Sequence, residues 1–185
     1  MAFMNPILYF LRSSEQKIVQ DILPYAMRLD EVGKTLSDVE KLKIYYDFYG
    51  LTPKDLGLYA LVNNEIAGAI WCRRLNEDHQ AEGFVNEQTP VMLMGVLPKF
   101  RNNKIGTAMM EQFLQEAATQ YDQISVSVIQ ESPAVAFYEK FGFEKLSYNK
   151  QSPVDGKTTY TMLKKLEKKE LIRPSDGYDP RRWMD

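Results

Sequence analysis

Apolar and polar residues follow two different spacings along this 185-residue chain, and the spacings predict eleven secondary-structure elements. Short apolar or alternating runs are typical of strands, which we predict at residues 7–10, 58–62, 66–73, 91–96, 124–129, 143–148 and 157–163. Apolar residues three and four positions apart indicate helices, which we predict at residues 15–27, 37–49, 103–120 and 133–141. The order β-α-α-β-β-β-α-β-α-β-β is that of an α/β or α+β domain built on a mixed sheet.

Residues with special backbone preferences support these boundaries. Asn63 and Asn64 lie between two strands and predict a two-residue hairpin turn, because asparagine tolerates positive φ. Residues 37–40 read Ser-Asp-Val-Glu, the pattern of a capping box at the start of the second helix. Gly142 suits the C-terminal end of the last helix. Gly95, inside a buried strand, predicts either a β-bulge or a close approach of another backbone.

Composition and charge argue against several classes of function. The chain is 44% apolar and 26% charged, so we expect a folded globular domain rather than a disordered chain. A net charge of −2 gives no basic field for nucleic acid or acidic membranes, and no apolar run reaches the roughly 20 residues of a membrane span. One cysteine and one histidine exclude an internal disulfide and nearly exclude a zinc site. We therefore expect a cytoplasmic protein without metal, nucleic-acid or membrane partners.

A loop with phosphate-binding character connects the buried strand at 91–96 to the next helix. Residues 96–107 would expose several backbone N–H groups at a helix N-terminus, where the helix dipole also favours an anion. Arg101 and Lys104 add positive charge, and Gly106 would let a phosphate approach the backbone. On these features alone, a plain strand-to-helix turn with basic residues on its rim remains the alternative interpretation.

Two common phosphate-binding signatures, G-x-x-x-x-G-K-S/T and G-x-G-x-x-G, are missing from this loop. A diphosphate ligand bound without either signature points to coenzyme A. The loop resembles the acyl-CoA pyrophosphate loop of the GNAT N-acetyltransferase superfamily, Arg/Gln-x-x-Gly-x-Gly/Ala. Arg101, Ile105 and Gly106 match that motif, while Lys104 stands where the family usually has its first glycine.

A second block downstream strengthens the resemblance. Residues 131–143 are similar to the family pattern Asn-x-x-Ala-x-x-Phe-Tyr-x-x-x-Gly-Phe. The matching residues are Ala134, Phe137, Tyr138, Gly142 and Phe143. Glu131 replaces the usual asparagine. One helix and one strand separate the two blocks, as in the family, and the resemblance covers roughly residues 7–163.

The resemblance implies both a fold and an activity. The fold is a GNAT-like mixed, mostly antiparallel central sheet of about seven strands flanked by about four helices. Residues 1–170 would form a single acyl-CoA N-acyltransferase domain, followed by an irregular tail at residues 171–185 that Trp183 could anchor. The activity is transfer of an acetyl group from acetyl-CoA to a primary amine of a small molecule or protein, by direct attack and without a metal. A homodimer is a further expectation, because many relatives dimerise.

The resemblance also implies which residues bind the acyl-CoA. In the family the pantetheine arm pairs with the central strand like an added strand, so we expect backbone contacts from Met94 and Val96. The expected pyrophosphate-binding residues follow in the loop: Arg101, Asn102, Asn103, Lys104, Ile105, Gly106 and Thr107. Glu131 is expected to contact the cofactor arm.

Proton transfer needs an acid and a base. The family's tyrosine points its hydroxyl at the thioester sulfur, so Tyr138 is the expected general acid. A lysine-type amine has a pKa of about 10.4, so a base must take its proton. The predicted central strand carries no carboxylate, and we assign the base to Glu87 just before it, with Glu82 and His79 as alternatives. Cys72 is expected to pack in the core, with an acyl-cysteine mechanism as the alternative.

Two other classes of function stay open. The first is a catalytically inactive GNAT-like module that binds acyl-CoA as a sensor, which the departures at Lys104 and Glu131 keep in view. The second is an interaction domain that binds no coenzyme A. For the acceptor amine, we expect a site formed by the early helices and the polar loop at residues 76–89, with aromatic residues such as Tyr45 and Tyr49 along it.

Overall fold

A computed structural model describes residues 5–173 of the chain, which fold around one twisted sheet. Its strands are β1 (Ile7–Phe10), β2 (Leu56–Val62), β3 (Glu65–Arg73), β4 (Val91–Val96), β5 (Gln123–Ile129), β6 (Glu144–Gln151) and β7 (Thr158–Lys165). Their order across the sheet is β1-β2-β3-β4-β5-β7-β6. The β4–β5 pair is parallel and the other five pairs are antiparallel, which confirms the predicted mixed, mostly antiparallel sheet.

Helices cover both faces of this sheet. Within residues 5–173 the α-helices are α1 (Gln16–Ala26), α2 (Ile105–Ala117) and α3 (Ala134–Lys140). One apolar cluster lies between the sheet and the pair α2 and α3, with Phe113 fully buried in it. A second cluster lies on the opposite face beneath α1, with Trp71 at its centre. None of these helices combines the length and the apolar character needed to cross a membrane.

The predicted second helix is wrong as an α-helix. Residues 36–45 form two 3₁₀ segments instead, Leu36–Asp38 and Glu40–Tyr45. The Trp71 indole donates to the Tyr45 carbonyl at 3.0 Å, and Arg73 donates to the Ile44 carbonyl at 3.1 Å. These β3 side chains take carbonyls that an α-helix would pair with its own next turn. Within residues 5–173, the four predicted helices therefore correspond to three α-helices and this 3₁₀ stretch.

The capping box also lies elsewhere than predicted. The structure forms it between Thr35 and Asp38, where the Thr35 backbone N–H donates to Asp38 Oδ2 at 2.8 Å, rather than between Ser37 and Glu40. The 3₁₀ segment begins at Leu36, one residue before the predicted helix, so its cap lies at Thr35 rather than at Ser37.

Two predicted chain reversals are confirmed. Asn63 and Asn64 have φ of 51° and 64°, and they join β2 to β3 as a two-residue turn. Gly142 has φ of 91° and lies two residues after Lys140, the last residue of α3. There the Gly142 N–H donates to the Glu139 carbonyl at 3.0 Å and the Phe143 N–H donates to the Tyr138 carbonyl at 3.1 Å. This pair of bonds is the Schellman motif that glycine at this position favours.

Gly95 serves close packing rather than a bulge. The β3–β4 register runs without a shift from Gly68 opposite Val96 to the far end of the pair, so the predicted bulge in β4 is absent. A Cβ at Gly95 would lie 2.9 Å from the Ala26 nitrogen and 2.9 Å from Ile22 Cγ2. The missing side chain therefore lets α1 pack directly against β4.

The last described residues run along α2. Arg173 makes two hydrogen-bonded contacts with the buried Glu116 carboxylate, at 2.9 and 3.1 Å. Lys168 donates to the Tyr121 carbonyl at 3.4 Å. The mostly charged segment at residues 166–170, which follows β7, therefore contacts the folded domain. Residues 171–173 carry no helix or strand. The remainder of the predicted tail, including Trp183, lies outside the described residues.

Replacing Arg173 with alanine should destabilise the fold, because the Glu116 carboxylate would stay buried without its ion partner. Breaking a buried pair costs up to about 5 kcal/mol, and since about a third of Arg173 is exposed we expect roughly 1–3 kcal/mol. Urea unfolding would show a lower midpoint at an unchanged slope. Lys169→Ala is the control, because its pair with Glu167 is exposed on both sides, and a loss equal to that of Arg173→Ala would contradict this reading.

Candidate active site

A cleft opens where the two parallel strands of the sheet separate. The first two residues of β4 pair with β5, Val91 with Ser125 and Met92 with Val126, and the strands then diverge. β5 stays paired with β7 over its whole length, so the gap forms on its β4 side. The gap leads into a cleft of about 630 Å³ lined by both strands, α1 and the N-terminal end of α2.

The open edge of β4 directs backbone polar groups into this cleft. The Leu97 N–H donates to the Ala67 carbonyl of β3 at 2.8 Å, and the Ser125 N–H donates to the Pro90 carbonyl at 3.1 Å. Because alternate residues of a strand direct their backbone groups to opposite edges, Met94 and Val96 face the gap. The Val96 carbonyl accepts a hydrogen bond from Arg101 Nε at 3.1 Å.

The loop after β4 presents the start of α2 to the same cleft. Asn102 and Lys104 both have left-handed backbone conformations, with φ of 64° and 60°. Asn103 donates from its side chain to the carbonyls of Phe100 and Arg101, at 3.2 and 3.0 Å, which holds the loop in shape. Among the described residues no side chain caps α2. Its first N–H groups therefore face the cleft with the positive end of the helix dipole.

Lys104 is the last residue before α2 and has the conformation that glycine adopts without cost. This backbone conformation explains why a glycine is usual at this place in the motif. A lysine in the same conformation keeps the turn, at a cost of roughly 1–2 kcal/mol, and adds an exposed ammonium beside the helix N-terminus.

Gly106 keeps the mouth of the cleft clear. Its φ lies outside the positive region, and a Cβ there would lie 3.6 Å from Met94 Cε and 3.9 Å from Phe137 Cζ, which are ordinary contacts. The position therefore has space for a side chain, and its absence leaves the first turn of α2 open. An open turn with free donors and nearby cationic residues fits a diphosphate such as that of coenzyme A.

Tyr138 reaches the cleft from α3. The residue is buried and its ring packs edge-on against Phe137 and Phe143, with centroid distances of 5.6 and 5.4 Å. Burial raises the pKa of Tyr138 to about 12, so the hydroxyl stays protonated throughout the neutral range. Its hydroxyl makes no hydrogen bond to another residue within 5–173, and the residue lines the cleft.

Glu82 reaches the cleft from the loop between β3 and β4. Only 7% of the residue is exposed, and its Oε2 atom is buried without a hydrogen-bond partner in the described part of the chain. Burial raises the pKa of Glu82 to about 7, and the effect is offset in part by Lys150 and by a hydrogen bond from Ser127. The cleft therefore contains a carboxyl group that can gain or lose a proton near neutral pH.

The structure brings most of the sequence-based candidates to the cleft. The lining includes Tyr138, Met94, Val96, Arg101, Asn102, Lys104, Ile105, Gly106 and Thr107. Asn103 stays outside it and braces the loop. Glu131 is exposed at the N-terminal side of α3 and does not line the cleft.

Glu87 lies outside the cleft. Its side chain is exposed, and its backbone carbonyl accepts a hydrogen bond from Arg74 at 2.7 Å. His79 is exposed as well and caps a 3₁₀ turn, accepting from the Asn76 N–H at 3.2 Å through Nδ1. Sequence reasoning weighed Glu82 beside these two, but spacing along a loop does not show which member folds inward.

The structure also places three other residues named in the sequence analysis: Tyr45, Tyr49 and Cys72. Tyr45 lines the cleft, whereas Tyr49 is fully buried in the core. Cys72 is also fully buried, and burial raises the pKa of its thiol far above the ordinary range, which suits packing rather than reactivity. Among residues 5–173, no group of three or more histidine, cysteine or acidic residues is placed to hold a metal ion.

Comparison with known proteins identifies the family. The acetyltransferase (GNAT) domain model matches residues 54–145. The chain is 30% identical over 157 residues to an N-alpha-acetyltransferase of Saccharolobus solfataricus, a match that covers 75% of this chain and 90% of that protein. It is also 32% identical over 112 residues to the probable N-acetyltransferase san of Drosophila melanogaster, covering 59% of this chain and 56% of that relative.

Solved structures give the same fold. The PaiA N-acetyltransferase of Thermoplasma acidophilum, solved with coenzyme A, has a TM-score of 0.59 at 16% identity, over 88% of this chain and 99% of that one. The chain therefore belongs to the GNAT acetyltransferase family. The match to the Drosophila relative spans little more than half of that protein's length.

Gly106→Ala should stabilise the protein. The added Cβ meets ordinary contacts, and replacing glycine inside a helix gains roughly 0.5–1 kcal/mol. Thermal unfolding should show a higher midpoint. Gly95→Ala is the opposite control, because its Cβ would lie 2.9 Å from the Ala26 backbone, and it should lower the midpoint. A loss of stability in Gly106→Ala would contradict the open geometry described at the start of α2.

Glu82→Gln should change how stability depends on pH. The folded protein holds a proton on Glu82 up to about pH 7, whereas an unfolded chain releases it near its ordinary pKa of about 4.3. Wild-type stability therefore falls as pH rises through this window, and the glutamine variant escapes that fall. We expect the variant to gain, relative to wild type, roughly 3 kcal/mol between about pH 4 and about pH 8.

Urea unfolding across that pH range measures the difference, and Glu77→Gln, which changes an exposed acid in the same loop, is the control. A difference between Glu82→Gln and wild type that stays constant with pH would refute the buried, neutral carboxyl.

Proposed function

We propose that this protein is an N-acetyltransferase that transfers the acetyl group of acetyl-CoA to a primary amine by direct attack. The observation that carries the proposal is the divergence of β4 from β5 after two residue pairs, which opens a cleft between the α2 N-terminus and Tyr138. That cleft has room for an extended donor with a diphosphate at one end and a reacting carbonyl in the middle.

The chain's own residues supply the donor-binding groups. Met94 and Val96 offer backbone donors and acceptors along the open edge of β4, as an added strand would require. The N–H groups at the start of α2 would hold the diphosphate, and Gly106 leaves them accessible. Lys104 and Arg101 lie at the same end of the cleft and would balance its negative charge.

Tyr138 is the proposed general acid. Bond formation between the amine nitrogen and the acetyl carbon breaks the carbon–sulfur bond, and Tyr138 would give its hydroxyl proton to the departing sulfur. The raised pKa of Tyr138 keeps this proton in place until the reaction. Because a free thiol has a pKa of about 8.5, the sulfur is already a good leaving group and the acid adds a moderate factor.

The relatives support an amine acceptor. The Saccharolobus relative is an N-alpha-acetyltransferase and the Drosophila relative a probable N-acetyltransferase. At about 30% identity these names support the reaction type more strongly than any particular acceptor, so the proposal extends to primary amines of peptides or small molecules.

Titration calorimetry with acetyl-CoA, coenzyme A and ATP tests the donor. We expect both coenzyme A species to bind and ATP to bind at least about tenfold more weakly, because the open β4 edge accepts a pantetheine arm that ATP lacks. Failure of acetyl-CoA to bind at millimolar concentration would overturn the proposal.

Tyr138→Phe tests the chemistry. We expect kcat to fall by about 10- to 100-fold, at the low end of general acid effects, with acetyl-CoA affinity unchanged. Tyr148→Phe, which removes a hydroxyl from a partly exposed tyrosine on β6, is the matched control and should keep wild-type kcat. Tight acetyl-CoA binding without turnover of any amine would favour an inactive sensor module instead.

A further inference from the structure

We propose that Ser127 and Glu82 form a two-residue proton relay, in which Ser127 takes a proton from the acceptor amine and passes its own to the Glu82 carboxylate. This inference rests on the proposed acetyltransferase function and names the base that the predicted central strand lacks. It replaces Glu87, whose exposed side chain lies outside the cleft.

Gly83 brings the two residues together. Its φ of +78° turns the chain, and a Cβ there would lie 3.1 Å from the Ser127 nitrogen and 3.3 Å from the Val126 carbonyl carbon. The loop between β3 and β4 therefore lies flat against the β5 backbone at this point. A larger residue would lift the loop from β5 and separate the Glu82 carboxylate from the Ser127 hydroxyl.

Three side chains from different elements fix that loop. Ser125, two residues before Ser127 on β5, donates to the Gly83 carbonyl at 2.6 Å. The Tyr45 hydroxyl donates to the Glu82 carbonyl at 3.5 Å, and Lys150 on β6 donates to the Ala81 carbonyl at 2.9 Å. These bonds hold the backbone on either side of Glu82, so its side chain has a defined place beside the cleft.

Ser127 and Glu82 line the same cleft from neighbouring elements. Glu82 Oε2 is sealed from solvent without a partner in residues 5–173, and the Ser127 hydroxyl is near enough to the carboxyl group to lower its pKa. Ser127 itself is half-buried and lines the cleft. An amine in the cleft therefore meets the serine oxygen, and a hydroxyl can accept one hydrogen bond while donating another.

Several charged and titratable groups surround the Glu82 carboxyl. They are Lys150 on β6, Asp155 in the β6–β7 turn, Arg28 after α1 and Tyr45 in the 3₁₀ stretch. Arg28 pairs with Asp155 at 2.9 Å, so these two opposite charges largely cancel. Desolvation, the Lys150 ammonium and the Ser127 hydroxyl are then the main influences on the pKa of Glu82.

The relay conserves atoms and charge. The amine nitrogen forms its bond to the acetyl carbon as its proton passes to Ser127 Oγ, and the former Ser127 proton passes to a Glu82 oxygen. The carbon–sulfur bond breaks and the sulfur takes the Tyr138 proton. Glu82 afterwards releases one proton to solvent and Tyr138 regains one, so the pair returns to its starting state.

The test compares four variants with wild type: Glu82→Gln, Ser127→Ala, Ser127→Thr and Glu87→Gln. We expect kcat to fall at least about 100-fold in Glu82→Gln and about 10- to 100-fold in Ser127→Ala, with acetyl-CoA affinity unchanged. Ser127→Thr keeps the hydroxyl on a strand that suits threonine and should restore most of the rate. Glu87→Gln should behave as wild type.

The pH dependence of kcat separates a relay from a packing role. Wild type should lose activity below about pH 7, where Glu82 becomes protonated. This loss of activity at acidic pH should vanish in Glu82→Gln. In Ser127→Ala it should move to higher pH, because the hydrogen bond from Ser127 favours the carboxylate. Carbon-13 NMR of the glutamate carboxyls should show the same upward shift of the Glu82 midpoint in Ser127→Ala without any substrate.

The possible negative results distinguish failure of the relay from failure of the proposed acetyltransferase function. A wild-type kcat and acidic limb in Glu82→Gln, or a Glu82 midpoint that Ser127→Ala leaves in place, would overturn the relay while the acetyltransferase stands. A large loss in Glu87→Gln would return the base to Glu87. A wild-type protein that binds acetyl-CoA but acetylates no amine would overturn both the proposed function and the relay.

Discussion

The early end of pairing between β4 and β5 is the constraint on which the rest of this structure depends. Two residue pairs join the strands, and beyond Met92 and Val126 each must satisfy its backbone in another way. Antiparallel partners support both strands from their outer edges, so the gap persists without loss of the sheet. The remaining elements line that gap: α1 rests on β4 at Gly95, and the loop before β4 rests on β5 at Gly83.

Most of the fold was predictable because its signals are local. The seven strands follow from short apolar or alternating runs, and the turn at Asn63 and Asn64 follows from the positive φ that asparagine tolerates. The predicted second helix failed because its fate depends on residues far along the chain. Trp71 and Arg73 bind carbonyls of the 36–47 region, and spacing within that region carries no trace of those bonds.

The same distinction between local signals and long-range contacts applies to the candidate site. The loop at 96–107 was predictable because strand, basic residues, glycine and helix are contiguous, and Tyr138 followed from a family pattern on one short helix. Glu82 was named among the alternatives, but its burial depends on a docking contact with β5 that no local pattern encodes. The signals that could have favoured it are Gly83 beside it and the alternating serines of residues 124–129.

Lys104 changes the kind of force that would hold an anion at the start of α2. A glycine there would leave the backbone dipoles at the helix N-terminus and the Arg101 guanidinium as the sources of attraction. An exposed ammonium attracts as a full charge, and at physiological ionic strength charges are screened over about 8 Å. Binding of a phosphate group at this loop, as proposed above, would therefore depend more strongly on ionic strength than it would with glycine at position 104, which makes the salt content of the surroundings part of the affinity of the proposed site.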